Sequence, residues 1–384
     1  MEAYFDNAAT TKVFDSVKDI VVKAMTEDYG NPSAKHLKGV KAENYIKDAR
    51  SVIAKSLKAQ DKEILFTSGG SESNNMALIG TAQAYCRSGN HIISSSIEHA
   101  SVYNPLGYLQ DQGFEITYLP VDSKGHISLT ELEQAIRPDT ILVSIMYVNN
   151  EVGAVEPVEE ISRVIKKKNP DTLFHVDAIQ AYGKFRICPK RQGIDLLSVS
   201  GHKIHGPKGV GFLYIGEKVK IKPLIYGGGQ QKGLRSGTEN VPGVAGMGVA
   251  AKEIYTDHQE KIDQLYELKD YLIDRLKELE GVTINSQLGR ESAPQIVSAS
   301  FEGVRSEVLL HGLEEKGVYV SSGSACSASH PGVSGTLKGI GVRQDLLDAT
   351  LRFSFGMFNT MDEIDYAVEV LKELLPVLRR YRRG

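Results

Sequence analysis

The chain has 384 residues, 41% of them apolar and 24% charged, with a formal net charge of −3. That is the composition of a soluble globular protein long enough for a large domain and a smaller one, and it gives no electrostatic case for direct nucleic-acid or membrane-surface binding. The three cysteines, Cys86, Cys188 and Cys326, have no paired spacing, which excludes a disulfide framework and a Cys-rich metal site. The start, MEAYFDNAAT, has no basic stretch followed by an apolar one, and no window approaches ~18 uninterrupted apolar residues. No leader and no membrane span are therefore expected, and the expected location is a reducing cytoplasm. The basic tail LRRYRRG at 378–384 reads as a solvated helix end.

In chain order, YFDNAATT at 4–11 reads as a short extended piece and a turn. Apolar residues at helical spacing predict helices over 13–27 and 38–57. The stretch 64–67 is strand-like, 68–71 is a glycine-bearing turn, and a helix starts near Glu72. Glycines before a helix N-terminus leave backbone N–H groups open to an anion, and serine hydroxyls add donors. Neither a dinucleotide nor a P-loop fingerprint is present. Strands at 91–95, 114–118 and 140–145 alternate with helices at 100–112 and 128–136. That order predicts parallel strands in a three-layer α/β domain.

Two further apolar runs carry the chemistry. The run at 173–176 delivers Asp177, and the run at 195–199 delivers Ser200, His202 and Lys203. An acid and a lysine both stand where strands end, which is where open α/β sheets place their ligands. Pyridoxal 5'-phosphate needs such a pair: an amine for its Schiff base, and a carboxylate to keep a proton on the ring nitrogen. His202 and His205 have an HxxH look, but no third ligand is evident and no metal is expected. Beyond these runs, 244–279 reads as one long helix leaving the large domain. Strands at 282–285, 296–301 and 318–320 and helices at 306–316 and 361–379 form a smaller α+β domain. The expected division is 12–256 for the large domain and 257–384 for the small one, with 1–11 joining the latter.

Cys326 stands in SSGSACSASHPG, among small polar residues rather than apolar neighbours. A thiol in such a loop in a reducing compartment is a candidate nucleophile. Cys86 and Cys188 are expected to be structural. Arg352 lies inside the strand-like run LRFSFG, where a buried guanidinium needs an anionic partner.

These motifs, in this order from YFDNAATT to LRFSFGMFNTMDEIDYAVE, resemble the cysteine desulfurases of the NifS/IscS type. Those belong to the class V aminotransferases within the fold-type I pyridoxal phosphate enzymes. The resemblance implies a mainly parallel large domain plus a small one, and a transferase that takes sulfur from L-cysteine. The products would be L-alanine and a persulfide on Cys326. Gly70 and Ser71 would contact the cofactor phosphate, with Ser200 and His202 helping. His99 would stack on the ring and move protons. Asp177 would pair with the ring nitrogen, Gln180 would reach the phenolic oxygen, and Lys203 would be the Schiff-base residue. Asn150 would touch both cofactor and substrate carboxylate, and Arg352 would hold that carboxylate. The glycine-rich loop at 226–241, with Arg235 and Thr238, would cross a homodimer interface so that Thr238 reaches the neighbouring phosphate. The persulfide would pass to an acceptor protein, an iron–sulfur scaffold or a tRNA-thiolation protein. The long segment between Cys326 and Arg352 resembles the long-loop branch of the family. A selenocysteine lyase or a small-acid aminotransferase of the same fold is the alternative.

Overall fold

The apolar runs become strands of two sheets. The structure, a computed structural model, describes residues 1–322 and 334–380. Cys326 and the last four residues of the basic tail lie outside the described residues.

Strand β1 (Ala3–Tyr4) opens the chain. The large sheet is built from β2 (Ile64–Thr67), β3 (His91–Ser95), β4 (Glu115–Leu119), β5 (Thr140–Met146), β6 (Leu173–Asp177), β7 (Leu196–Ser200) and β8 (Gly211–Ile215), in the order β2-β8-β7-β6-β5-β3-β4. Strands β3 to β7 pair in parallel. Helices cover both faces, so β5, β6 and β7 are buried at every residue, as expected of parallel strands. The antiparallel member is β8, which separates β2 from β7. Two reversals leave β2 pointing the same way as β7. The C-terminal ends of β2, β3, β5, β6 and β7 therefore share one edge of the sheet.

The second sheet is antiparallel, with β9 (Val282–Ile284), β10 (Ile296–Phe301), β12 (Ser321–Ser322) and β13 (Thr350–Ser354) in the order β12-β13-β10-β9. Strand β11 (Val318–Tyr319) pairs in parallel with β1, and Asp6 bridges to Ser354. Ala3 and Phe5 accordingly pack in the core of this second sheet, with residues from Ile262 to Leu375. Ala8, a few positions on, packs in the core beneath the large sheet.

The long helix expected over 244–279 is instead two, Val241–Tyr255 and His258–Lys277. The break is at Asp257, which adopts a left-handed conformation (φ 49°) that ends a helical run and that Asp tolerates better than most residues. The helix at Val158–Lys168 illustrates why the covering layer forms. Val158, Ile161 and Ile165 face inward at helical spacing, with Glu159 and Glu160 in the first turn and three lysines in the last.

Candidate active site

A cavity of about 270 Å³ lies at the C-terminal edge of the large sheet. It is bounded by Gly70, His99, Asn150, Asp177, Lys203 and Arg352, six residues from six separate segments. Ser71, Gln180, Ser200 and His202 line it as well. The sheet supplies most of them directly. Asp177 ends β6, Ser200 ends β7, and Gly70, His99 and Asn150 follow β2, β3 and β5.

The turn after β2 leads straight into a helix. Its first backbone bond runs from the Ser73 N–H to the Gly69 carbonyl, so the N–H groups at 70–72 lie ahead of the ladder. Gly70 leaves room there: an added Cβ would stand 2.2 Å from Ile179 Cδ1 and turn that side chain aside. The turn can therefore lie flush against the segment after β6.

Asp177 is buried. Its Oδ1 accepts from the Ile179 N–H (2.9 Å) and its Oδ2 from the Asn74 amide (2.9 Å). Burial pushes the carboxyl up, while these two donors, His99 and Lys203 pull it back. His99 is the N-cap of helix Ala100–Asp111. Its Nδ1 accepts from the Ser101 N–H (3.1 Å) and lies 2.8 Å from Ser101 Oγ. A backbone N–H can only donate, so Nδ1 carries no proton and the neutral ring is protonated on Nε2. Burial holds His99 below its ordinary value, reinforced by Lys203 and Arg352 and opposed by Asp177.

Lys203 Nζ donates to the carbonyls of Ala8 and Ala9 (2.8 Å to the latter). The N-terminal turn NAAT thus closes over the amine. Gln180 donates to the same Ala8 carbonyl (2.9 Å). His202 Nδ1 lies 3.3 Å from Thr10 Oγ1, and burial depresses it to about 4. The imidazole of His205 points elsewhere, with Nδ1 at the Lys12 carbonyl.

Arg352 is buried at the far end. Nη2 pairs with Asp6 (2.8 Å) and Nη1 donates to the Asn150 carbonyl (2.8 Å), each with a second hydrogen left over, while Nε is buried with no partner among the described residues. The anion that the strand position demands is therefore Asp6, and a donor remains uncommitted. Glu151, beside Asn150, accepts from Ser334 (2.5 Å), the first residue described after the Cys326 stretch.

Thr238 is not among the described residues that line the cavity. Thr238 is exposed on its glycine-rich loop, and neighbouring Arg235 pairs with Glu72 (2.9 Å). Cys326 lies outside the described residues. Cys86, expected to be structural, is exposed and bonds only to the Gln83 carbonyl of its own helix end, so it packs no core. Cys188 is partly buried.

Sequence reasoning missed Asp6, Asn74, Ser101 and Lys184. Lys184 is buried and donates to the Lys203 carbonyl (2.6 Å); burial, with Lys203 adding, pushes it down to about 7. Asp6 lies in the YFDNAATT motif, and Asn74 and Ser101 lie near the starts of two expected helices, whereas Lys184 falls between the two runs that carry the chemistry. Their partners come from distant segments, which no local pattern reveals.

Residues 3–367 match the family model described as aminotransferase class-V. The chain belongs to this family. Class-V aminotransferases depend on pyridoxal phosphate, and the cavity suits that group. It offers a lysine amine, a buried acid held by two donors, and a row of N–H groups beside serine hydroxyls. The chain is 43% identical over 379 residues to the cysteine desulfurase IscS of Dictyoglomus turgidum, covering 98% of this chain and 95% of that one. Among solved structures, a NifS-like protein superposes with a TM-score of 0.93 at 40% identity, covering 98% of this chain and all of the other. SspA, solved in complex with cysteine, does so with a TM-score of 0.81 at 37% identity, covering 93% and 100%. The architecture is that of fold-type I pyridoxal phosphate enzymes, as the motifs implied.

Proposed function

We propose that this protein is a cysteine desulfurase that moves sulfur from L-cysteine to Cys326 and releases L-alanine. The observation that supports it most is the convergence of Lys203, Asp177, His99 and Arg352 on one cavity. When bound, the cofactor supplies an electron sink for the pair left at the substrate Cα. Lys203 would hold the cofactor through its amine, and the same amine would be the base for the Cα proton. Asp177 keeps a proton on the ring nitrogen, and Gln180 serves the phenolic oxygen. Gly70, Ser71, Ser200 and His202 hold the phosphate. Arg352 receives the substrate carboxylate through its uncommitted donors, with Asn150 beside it. His99, protonated on Nε2, would stack on the cofactor ring and could give or take a proton beside it. The Cys326 thiolate attacks the substrate sulfur. The S–S bond forms as the C–S bond breaks, and the bonding pair stays with the carbon fragment, which leaves as alanine after protonation.

The reading extends to a cytoplasmic homodimer in which Thr238 reaches the partner's phosphate, and to hand-over of the sulfur to an iron–sulfur scaffold or tRNA-thiolation protein. Residues 12–256 form the cofactor domain, and 257–384 with 1–11 form the small domain. Among the described residues no helix is long and apolar enough to cross a membrane.

The test is product stoichiometry. The cofactor-loaded protein, given L-cysteine and a thiol reductant, should yield sulfide and alanine in equal amounts, and Lys203→Ala should yield neither. A keto acid without sulfide would point to an aminotransferase. Turnover confined to selenocysteine would point to a selenocysteine lyase.

A further inference from the structure

Asn74 has no place in the chemistry above, yet it is wholly buried beside it. It sits four residues after Gly70 on the same helix, so the two occupy one face. Immediately after it the helix loosens into an i→i+5 stretch, Met76–Gly80, a distortion often found at functional sites. Its Nδ2 donates 2.9 Å to Asp177 Oδ2 and 2.9 Å to Ser101 Oγ. Ser101 Oγ is in turn 2.8 Å from His99 Nδ1. One amide group therefore joins the acid and the imidazole of the cavity.

The orientation of this amide is determined by what it faces. Turning it over would set its carbonyl against the Asp177 carboxylate. With both Nδ2 hydrogens committed, Ser101 accepts from Asn74 and directs its own hydrogen to His99 Nδ1. The Asn74 Oδ1 is left buried with no partner among the described residues. An unpaired buried carbonyl is costly, and an apolar residue of similar size would avoid that cost. Its retention is accounted for by the two donors on the other side of the amide.

We propose that Asn74 is a positioning residue for both groups: it keeps Asp177 an ionised acceptor and, through Ser101, adds a second donor to the His99 Nδ1 that the Ser101 N–H already holds unprotonated. This rests on the reading of Asp177 as the ring-nitrogen partner. No side chain other than an amide places two N–H donors on one short stem. Asp at this position would put a second carboxylate beside Asp177, and Leu would leave Asp177 with one donor fewer.

The experiment measures pyridoxal phosphate affinity against pH, on protein resolved from its cofactor and titrated back, using the absorbance of the bound form. Asn74→Leu should weaken binding about tenfold, because a hydrogen bond to a charged group is lost. The pH at which binding fails on the acid side should rise, since Asp177 loses a donor that favours its ionised form. Asn74→Ala is read in the same way if the leucine variant does not fold. Ser101→Ala should leave affinity within about twofold but raise the acid limb of kcat. His99 then loses a donor to Nδ1, while Asp177, Lys203 and Arg352 around it are unchanged. Parent-like affinity and pH dependence in a folded Asn74 variant would overturn the proposal, even with a lower Tm. An Asp177→Ala variant that binds the cofactor as the parent does would overturn the assignment of Asp177 itself, and the role of Asn74 with it. Strong loss in Asp177→Ala beside none in Asn74→Leu would remove Asn74 alone.

Discussion

The two ends of the cavity are built on different plans. At one end Asp177 stands on a strand of the seven-stranded sheet, buried, with both oxygens held by neutral donors, the Ile179 N–H and the Asn74 amide. At the other, Arg352 comes from the four-stranded sheet and is held by a charge from the N-terminal turn and a carbonyl from the loop after β5. The first arrangement is complete without substrate, whereas the second uses one hydrogen of each Arg352 Nη and leaves the other. A group that stays through every turnover can be fully satisfied by the protein, while a group that must capture and release an anion needs donors in reserve. The N-terminal turn serves both ends, since Ala8 and Ala9 accept from Lys203 and Asp6 pairs with Arg352.

The comparison can be broken at either end. Asp177→Ala should lower kcat by about 10²–10³-fold, the scale for removing a preorganised electrostatic partner. Steady-state kinetics at saturating cofactor separate this from cofactor loss. Arg352→Lys should act on the other parameter, raising KM for L-cysteine about 10- to 100-fold with a smaller change in kcat, because a planar fork becomes a single ammonium. Cysteamine, which lacks the carboxylate, should react equally with parent and variant. Asp6→Asn removes the anion behind Arg352 and should raise KM by about tenfold. An unchanged KM would mean that Arg352 needs no counter-charge to hold its pose.

Stability against pH sharpens the picture of the buried layer. His175 is held between Ser144 and Ser198, and burial depresses it to about 3. Its contribution is present above its ordinary value of 6.5 and is lost as pH falls toward 3, at up to about 1.4 kcal/mol per pH unit. Glu98 behaves oppositely, because burial raises it to about 8. Its contribution is intact below 4.5 and is lost as pH rises toward 8. Denaturant titrations should show a shallower decline over that alkaline-going range in Glu98→Gln. The smallest effect expected is that of Gly70→Ala. The new methyl meets the end of the half-buried Ile179 side chain, which can turn aside, and should cost no more than about 1 kcal/mol of stability, read as a slightly lower Tm.

Much of this was legible in the sequence, and for a physical reason. Buried parallel strands announce themselves as short apolar runs, and the residues that end them fall at one sheet edge. Asp177, Ser200 and Lys203 could therefore be placed before any coordinates. The need of Arg352 for an anion was also legible, from its apolar strand. That the anion is Asp6, 346 positions away, was not, because strand register between the chain ends leaves no local signature. Asn74 was hidden in the same way. It lies in the helix that starts near Glu72, but its partner Asp177 is 103 positions on. The antiparallel β8 escaped a reading based on strand–helix alternation, since β7 and β8 are joined without a covering helix. The helix break at Asp257 escaped because good helix formers flank a single left-handed residue.

The most direct test of the proposed chemistry is a single turnover of the cofactor-loaded protein with L-cysteine and no reductant, followed by peptide mapping of all three thiols. The exposed Cys86 is a built-in competitor. The expected result is one added sulfur atom on the Cys326 peptide, none on the Cys86 or Cys188 peptides, and one alanine per site. Sulfur on Cys86, or alanine formed with no sulfur retained on any cysteine, would contradict a relay through Cys326.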